Sequence, residues 1–260
     1  MTTTVFITGA SSGIGAALAI EFGKMDYRVG LFSRNKDKLD QVKAKIENNG
    51  GEALVLPGDV RDISSIINAY EKIEEKWKFP DMVIADAGVV YWKKSLDLDI
   101  REVHHVVDVN LLGFMNTIQL ALPRMIKNGG GQIVGITSSA AFRGLPYLSV
   151  YSATKGGVLR YLEAIRVENK ANNIDVTAIC PGFVKTSMVT KDIPGWLPLL
   201  FLMEPEECAK KIISAVNKKK TLYVFPIPIL LLAKISPFIS DSVYEKIFIT
   251  FARWLFSKIK

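Results

Sequence analysis

Seven apolar runs of strand length punctuate the chain, at residues 3–8, 28–33, 53–57, 82–85, 132–137, 175–180 and 222–225. Segments of helical period lie between them, such as 15–25, 36–48, 63–78 and 153–171. Several of the runs are unbroken Val, Ile and Leu, the pattern of a strand covered on both faces. Two covered faces require helices on each side, and strand–helix alternation of this kind builds right-handed βαβ units. The class read from the pattern is α/β, a doubly wound parallel sheet of about seven strands with helices on both faces. At 260 residues the chain suits one such domain. No repeat or interior linker divides it, so residues 1–260 read as a single domain, with 217–260 as an amphipathic extension that breaks the pattern.

Composition excludes other classes. Hydrophobic residues make up 49% and charged residues 23%, ordinary for a globular chain and unlike a disordered one. Two cysteines, Cys180 and Cys208, are too few for a disulfide framework or a four-cysteine zinc site, which fits a reducing compartment. His104 and His105 have no partners at metal-ligand spacing, so no metal site is expected. The longest uncharged run in the tail, 221–233, covers only 13 residues and contains Pro226 and Pro228, too short to span a bilayer. No basic n-region precedes the first strand-like run. The reading is a cytoplasmic body, with membrane association left open for the tail.

The net charge of +7 is unevenly placed. Residues 217–260 hold eight of the 33 basic residues and two of the 26 acidic ones, so the tail carries +6 and the rest of the chain +1. A nucleic-acid binder would carry basic residues along a face of its main body, and none is expected to bind here. The surplus instead accompanies Phe, Trp, Ile and Leu, which suits an anionic lipid surface.

The first run leads into Thr8-Gly9-Ala10-Ser11-Ser12-Gly13-Ile14-Gly15, and a helix follows at once. Glycines there allow a tight turn and a close backbone approach. The unpaired N–H groups and positive dipole end of the following helix then favour an anion such as a pyrophosphate. The second run ends at Ser33-Arg34. An acidic residue at this place would hold a ribose 2′-hydroxyl, whereas a guanidinium accommodates a 2′-phosphate with forked, charge-assisted hydrogen bonds. NADP(H) is therefore expected over NAD(H).

Tyr151 and Lys155 lie at i and i+4, one helical turn apart on one face. A neighbouring cation favours phenolate, so Lys155 is expected to draw the Tyr151 phenol toward neutral pH for proton exchange with a carbonyl or alcohol. Ser138 follows the run 132–137 on the carboxyl edge of the sheet, where ligands bind in open α/β folds.

Taken in order, these residues resemble the short-chain dehydrogenases/reductases across about residues 4–190. The family's Thr-Gly-x-x-x-Gly-x-Gly matches Thr8 to Gly15, its Tyr-x-x-x-Lys matches Tyr151 and Lys155, and its catalytic Ser and Asn match Ser138 and Asn110. Its adenine-bordering Asp matches Asp59, followed by Val60. Its Pro-Gly turn matches Pro181-Gly182, with Val184 and Thr186 beyond it and Thr186 near the nicotinamide carboxamide. The resemblance implies a Rossmann-type fold and a homodimer or homotetramer. It also implies roles: Tyr151 as general acid/base, Lys155 lowering its pKa and holding the nicotinamide ribose, Ser138 polarising the carbonyl, and Asn110 anchoring a water in a proton relay. The family's Asn-Asn-Ala-Gly stands here as Ala85-Asp86-Ala87-Gly88. Asp86 therefore needs donors for both oxygens, or local stability suffers. Gly135 replaces an Asn of many members, with little consequence expected.

Residues 193–203 carry no charge and follow the Pro-Gly turn, where the family covers its substrate; they read either as the cover of a lipophilic ketone or alcohol or as a hydrophobic loop packed on the body or another subunit. In 242–260 the polar positions Ser242, Lys246, Thr250, Arg253, Ser257 and Lys260 form one narrow helical stripe. The wide apolar face of Val243, Tyr244, Ile247, Phe248, Phe251, Trp254, Leu255 and Ile259 must bury against the body, a partner subunit or a membrane. The sequence thus reads as an NADP(H)-dependent oxidoreductase of a lipophilic ketone or secondary alcohol. A soluble 3-oxoacyl-thioester reductase and a non-catalytic, membrane-associated nucleotide-binding scaffold are the alternatives.

Overall fold

In the computed structural model, which describes residues 2–190 and 202–256, every residue of β1 (Thr4–Thr8) is buried. β1 lies between β2 (Arg28–Ser33) and β4 (Met82–Ala85). β3 (Glu52–Pro57), β5 (Gly131–Ile136), β6 (Ile174–Pro181) and β7 (Leu222–Phe225) complete one sheet. Its order is β3-β2-β1-β4-β5-β6-β7, with every pairing parallel. All seven runs read from the sequence are strands, with ends displaced by two residues or fewer. The order reverses between β1 and β4, and that switch point opens a crevice beyond their carboxyl ends.

Two helical layers explain the lack of alternation. On one face α1 (Gly13–Gly23) packs against α2 (Lys36–Glu47) and α8 (Pro205–Asn217) over Val5, Ile7, Leu31 and Ile84. On the other, α3 (Ile63–Lys76), α5 (Gly113–Lys127) and α6 (Ser149–Glu168) cover Phe6, Phe32, Val83 and Ile133. Each large aliphatic side chain buried in these layers contributes about 1.5–3 kcal/mol. Gly135 has a packing reason: a Cβ there would lie 2.4 Å from Leu162 Cδ1 and 2.7 Å from Phe114 Cζ, so an Asn would require both side chains to move.

α4 (Ile100–Val107) begins in a capping box, Asp99 with Glu102, and runs through a π-helical turn, Asp108–Leu112, into α5. The continuous run Ile100–Lys127 is 28 residues long and apolar enough to cross a membrane by length and composition, yet half of its most apolar window is buried in the core. α6 begins at Ser149, four residues before the start read from the sequence, because Ser152 Oγ accepts the Leu145 N–H at 3.2 Å and fixes its first turn. A four-residue α7 (Ser187–Thr190) precedes the uncharged segment, most of which, 191–201, lies outside the described residues. Its downstream end returns to the body: Met203 pairs with Val184 and exchanges backbone hydrogen bonds with Phe183 and Lys185. Beyond β7 come α9 (Ile227–Ile235), a 3-10 turn at Ser236–Phe238 and α10 (Asp241–Phe256). The sequence reading carried the last helix to Lys260; residues 257–260 lie outside the description.

Candidate active site

The turn after β1 is shaped by close approach. Gly9 has φ +73°, and a Cβ on it would sit 3.0 Å from the Ala87 backbone; a Cβ on Gly15 would sit 2.6 Å from the Gly9 carbonyl oxygen. Only glycine fits the first position without strain and the second without displacing the loop. Ser12 occupies the N-cap position of α1 with no side-chain cap bond, and no acidic residue lies in the first turn. The end of the helix therefore keeps its donors and dipole for an anion. Thr8 Oγ1 accepts the N–H groups of Asp86 and Ala87 at 3.1 and 3.2 Å, tying the carboxyl ends of β1 and β4 together.

One cleft of about 560 Å³ runs along this edge, a size within the usual range for a bound cofactor or ligand. Gly9, Ser11, Ser12, Gly13 and Ile14 form its floor. Ser33, Arg34, Asp59 and Val60 line one end, while Ala87, Gly88, Ser138, Tyr151, Lys155, Pro181, Gly182, Val184 and Thr186 line the other. Gly15 and Asn110 stand behind the wall. Asp86, Val89, Val90, Tyr91, Met188 and Val189 also line it. Only Asp86 carried a signal in the sequence, as a departure from a motif; the others are apolar or aromatic residues of loops and a short helix, with no pattern of their own.

At the first of these ends, Ser33 Oγ and Ser11 Oγ are 2.9 Å apart, and Arg34 is exposed at the rim. Asp59 is gripped by Arg61, Nη2 to Oδ2 at 2.7 Å, and this partner holds its carboxyl below the usual range.

At the other end, the Ser138 hydroxyl accepts the Ala140 N–H at 3.1 Å and hydrogen-bonds Tyr151. Lys155 is 4% exposed; its Nζ donates to the Ile136 carbonyl at 3.0 Å, and its own carbonyl accepts from Thr137 Oγ1 at 2.9 Å. These two bonds pin α6 to the end of β5. Asn110 is fully buried in the π-helical turn. Its Oδ1 accepts the Val89 N–H at 2.7 Å and its Nδ2 donates to the Val89 carbonyl at 2.8 Å, mimicking a strand pair with the loop after β4. Such turns interrupt helices at sites where a side chain must be aimed.

The short chain dehydrogenase family profile matches residues 3–195, about three quarters of the chain. The chain belongs to the short-chain dehydrogenase family. It is thus an oxidoreductase of carbonyl and hydroxyl groups that works with a nicotinamide cofactor. It is 30% identical over 252 residues to the ketoacyl reductase HetN of Nostoc sp., spanning 93% of this chain and 88% of the relative. It is also 30% identical over 261 residues to 11-beta-hydroxysteroid dehydrogenase-like 2 of Arabidopsis thaliana, spanning 98% and 84%. A solved 3-ketoacyl-ACP reductase from Sinorhizobium meliloti superposes with a TM-score of 0.78 at 27% identity, covering 85% of this chain and 96% of the other. A short-chain type dehydrogenase/reductase from Mycobacterium marinum gives 0.79 at 25% identity, covering 86% and 93%.

The electrostatics of this short-chain dehydrogenase differ from expectation in one respect. Burial pushes the Tyr151 phenol up to about 12; the hydrogen bond with Ser138 pulls it down, and the Asp86 charge adds to the rise. The Lys155 Nζ lies 5.7 Å from the Tyr151 ring centre and donates to the Ile136 carbonyl, and its own burial disfavours its charge. Asp86, also held up by burial, is drawn back chiefly by Lys155 and then by the Gly15 N–H. The pair shares the buried charge between them. Burial also raises the Cys180 and Cys208 thiols to about 12, which keeps both protonated and unreactive.

Proposed function

We propose that this protein is an NADP(H)-dependent reductase that interconverts a ketone and a secondary alcohol on a lipophilic molecule, within one catalytic domain that carries a C-terminal extension. The observation that carries the reading is the convergence of Ser138, Tyr151 and Lys155 at one end of a cleft whose other end presents Ser33 and Arg34. The glycine-rich turn fits a dinucleotide, since Gly9, Ser11, Ser12, Gly13 and Ile14 line the cleft at the uncapped amino end of α1, whose free donors suit a pyrophosphate. When bound, the nicotinamide supplies or accepts the hydride.

The chain's own residues handle the proton and the geometry. Tyr151, protonated across the physiological range, donates its phenolic proton to the carbonyl oxygen in reduction and takes it back from the alcohol in the reverse direction. Ser138 donates a second hydrogen bond to that oxygen. Lys155 spends one ammonium N–H on Ile136, and its others would hold the ribose hydroxyls of a bound nucleotide. Asn110 commits its side-chain amide to Val89, so it positions the loop after β4.

Arg34 is expected to read the 2′-phosphate. Its replacement by Ala should weaken NADPH binding about 10–100-fold and leave NADH binding within about twofold, as losing a charge-assisted pair implies. Titration of both nucleotides by protein fluorescence checks this, and equal loss for both would remove the NADP assignment. The function itself is tested by following nicotinamide absorbance over a series of ketones and alcohols of graded chain length. A preference for carrier-bound 3-oxoacyl thioesters would favour the second reading, which the ketoacyl reductase relatives support.

The apolar surface of the extension supports peripheral contact with an anionic membrane. Phe238 is 88% and Ile227 71% exposed, and Leu231, Ile235, Val243, Ile247 and Ile249 are about half exposed. Part of the tail's charge is elsewhere. Lys218, Lys219 and Lys220 lie at the amino end of β7, where Lys219 pairs with Asp175 at 2.6 Å, whereas α9 follows its carboxyl end. Apolar insertion is therefore the larger contribution. The double variant Phe238→Glu/Ile247→Glu should cut co-sedimentation with phosphatidylserine vesicles at least about tenfold without altering thermal unfolding. Wild-type protein that stays in the supernatant at low salt would end the membrane reading.

A further inference from the structure

Arg143 stands in the loop between the 3-10 turn Ser139–Ala141 and α6, five residues after Ser138 and eight before Tyr151. Its side chain is mostly buried and reaches across to the C-terminal extension. Nη1 donates to the carbonyls of Ser236 and of Ile239, the latter at 2.8 Å, and Nη2 donates to Asp241 Oδ1 at 2.7 Å. The guanidinium lies 4.1 Å from the centre of the Tyr244 ring, and the Tyr244 hydroxyl donates to the Gly144 carbonyl beside Arg143. One planar fork thus caps the 3-10 turn, the linker after it and the first turn of α10, which a lysine, with a compact ammonium and no flat face, cannot do.

The extension touches the other lip of the cleft as well. The Gly182 N–H donates to the Phe225 carbonyl at 2.8 Å, and a Cβ on Gly182 would lie 3.2 Å from Pro226 Cδ and 3.3 Å from Ile229 Cγ1. α9 also packs against the Ser139–Ala141 turn. The backbone segments that carry Ser138 on one side and the Pro181-Gly182 turn on the other are therefore bridged by a single element. That element lies at the Ser138 and Gly182 end of the cleft, beyond the sheet edge opposite to the Ser33 and Arg34 end.

We propose that the extension is the outer wall of the substrate site and that Arg143 is the positioning residue that fixes it, so that Arg143 sets the preference for long lipophilic carbonyl substrates over short ones. The inference rests on the oxidoreductase reading above. Loosening the wall removes apolar surface that only the distal part of a long substrate would touch. A short ketone, held by Ser138 and Tyr151 alone, would not register the change.

The test uses full-length protein with a long-chain and a short methyl ketone. Arg143→Ala should raise KM for the long ketone at least about tenfold with kcat within about twofold, and leave the short ketone and NADPH affinity within about twofold. Arg143→Lys should behave like Arg143→Ala, because neither the fork nor the stacked contact is restored. Should Arg143→Ala fail to fold, Tyr244→Leu, which removes the ring and the bond to Gly144, should give the same split on a smaller scale. Equal losses for both ketones, or none for either, overturn the inference and leave the oxidoreductase reading standing. A wild-type protein that turns over neither ketone nor any other carbonyl overturns both.

Discussion

Tyr151→Phe should lower kcat for carbonyl reduction by about 10³-fold, within the range ascribed to a positioned general acid, while NADPH affinity stays within about twofold. The substitution removes one oxygen and keeps the ring that fills the end of the cleft, so a fall of this size reports proton transfer and not packing. Ser138 cannot take over, since a serine hydroxyl is a far weaker acid than a phenol. The elevated phenol adds a directional signature. With Tyr151 held near 12 by burial, the acid form prevails through the neutral range, and the reduction rate should be flat there. Oxidation needs the phenolate, so its rate should climb steadily as the solution is made alkaline. Steady-state rates in both directions over a pH series check both statements. A variant that keeps more than about a tenth of wild-type kcat would remove Tyr151 from the chemistry.

The parts legible in the sequence are those that one residue type alone can satisfy. The unbroken runs gave the two-sided sheet because no amphipathic strand could bury both faces. Gly9 and Gly15 marked the tight turn after β1 because a side chain would collide with Ala87 or with the Gly9 carbonyl. The i, i+4 spacing put Tyr151 and Lys155 on one face of α6, as found. What was illegible depends on direction and depth. Spacing alone says nothing of where the Lys155 ammonium points. It donates to the Ile136 carbonyl, while burial holds the Tyr151 phenol above its ordinary value. Among the settings open to the tail, the structure places the first turn of α10 on the body through Tyr244 and Arg143, residues about 100 positions apart in the chain. A contact between an unremarkable loop arginine and an unremarkable tail tyrosine leaves no local pattern.

Asp86→Asn should stabilise the protein at neutral pH, by about 1–3 kcal/mol, or a rise in Tm of roughly 2–12 °C for a chain of this size. Asp86 stands where the fold would be served by a neutral amide, and its carboxyl pKa is raised above the ordinary carboxylate value mainly by burial. A carboxyl with a raised folded-state pKa stabilises the fold fully in acid, below its unfolded value, and that contribution is lost as pH climbs through the folded one. The gain from the neutral amide should therefore be small near pH ~4 and grow toward neutrality. The charged groups that face Asp86 set the ceiling: Lys155 favours the carboxylate, whereas Tyr151 and the Cys208 thiol, themselves raised by it, do not. Removing that carboxylate also withdraws the charge that holds the Lys155 ammonium, so Lys155 should lose its proton at lower pH than in the wild type. The alkaline fall of NADPH affinity, to which the ammonium contributes, should move to lower pH with it. Thermal unfolding across a pH series and nucleotide titration across the same series separate the two effects. Equal Tm changes in acid and at neutrality would mean that the Asp86–Lys155 attraction fully offsets the cost of burying the carboxylate.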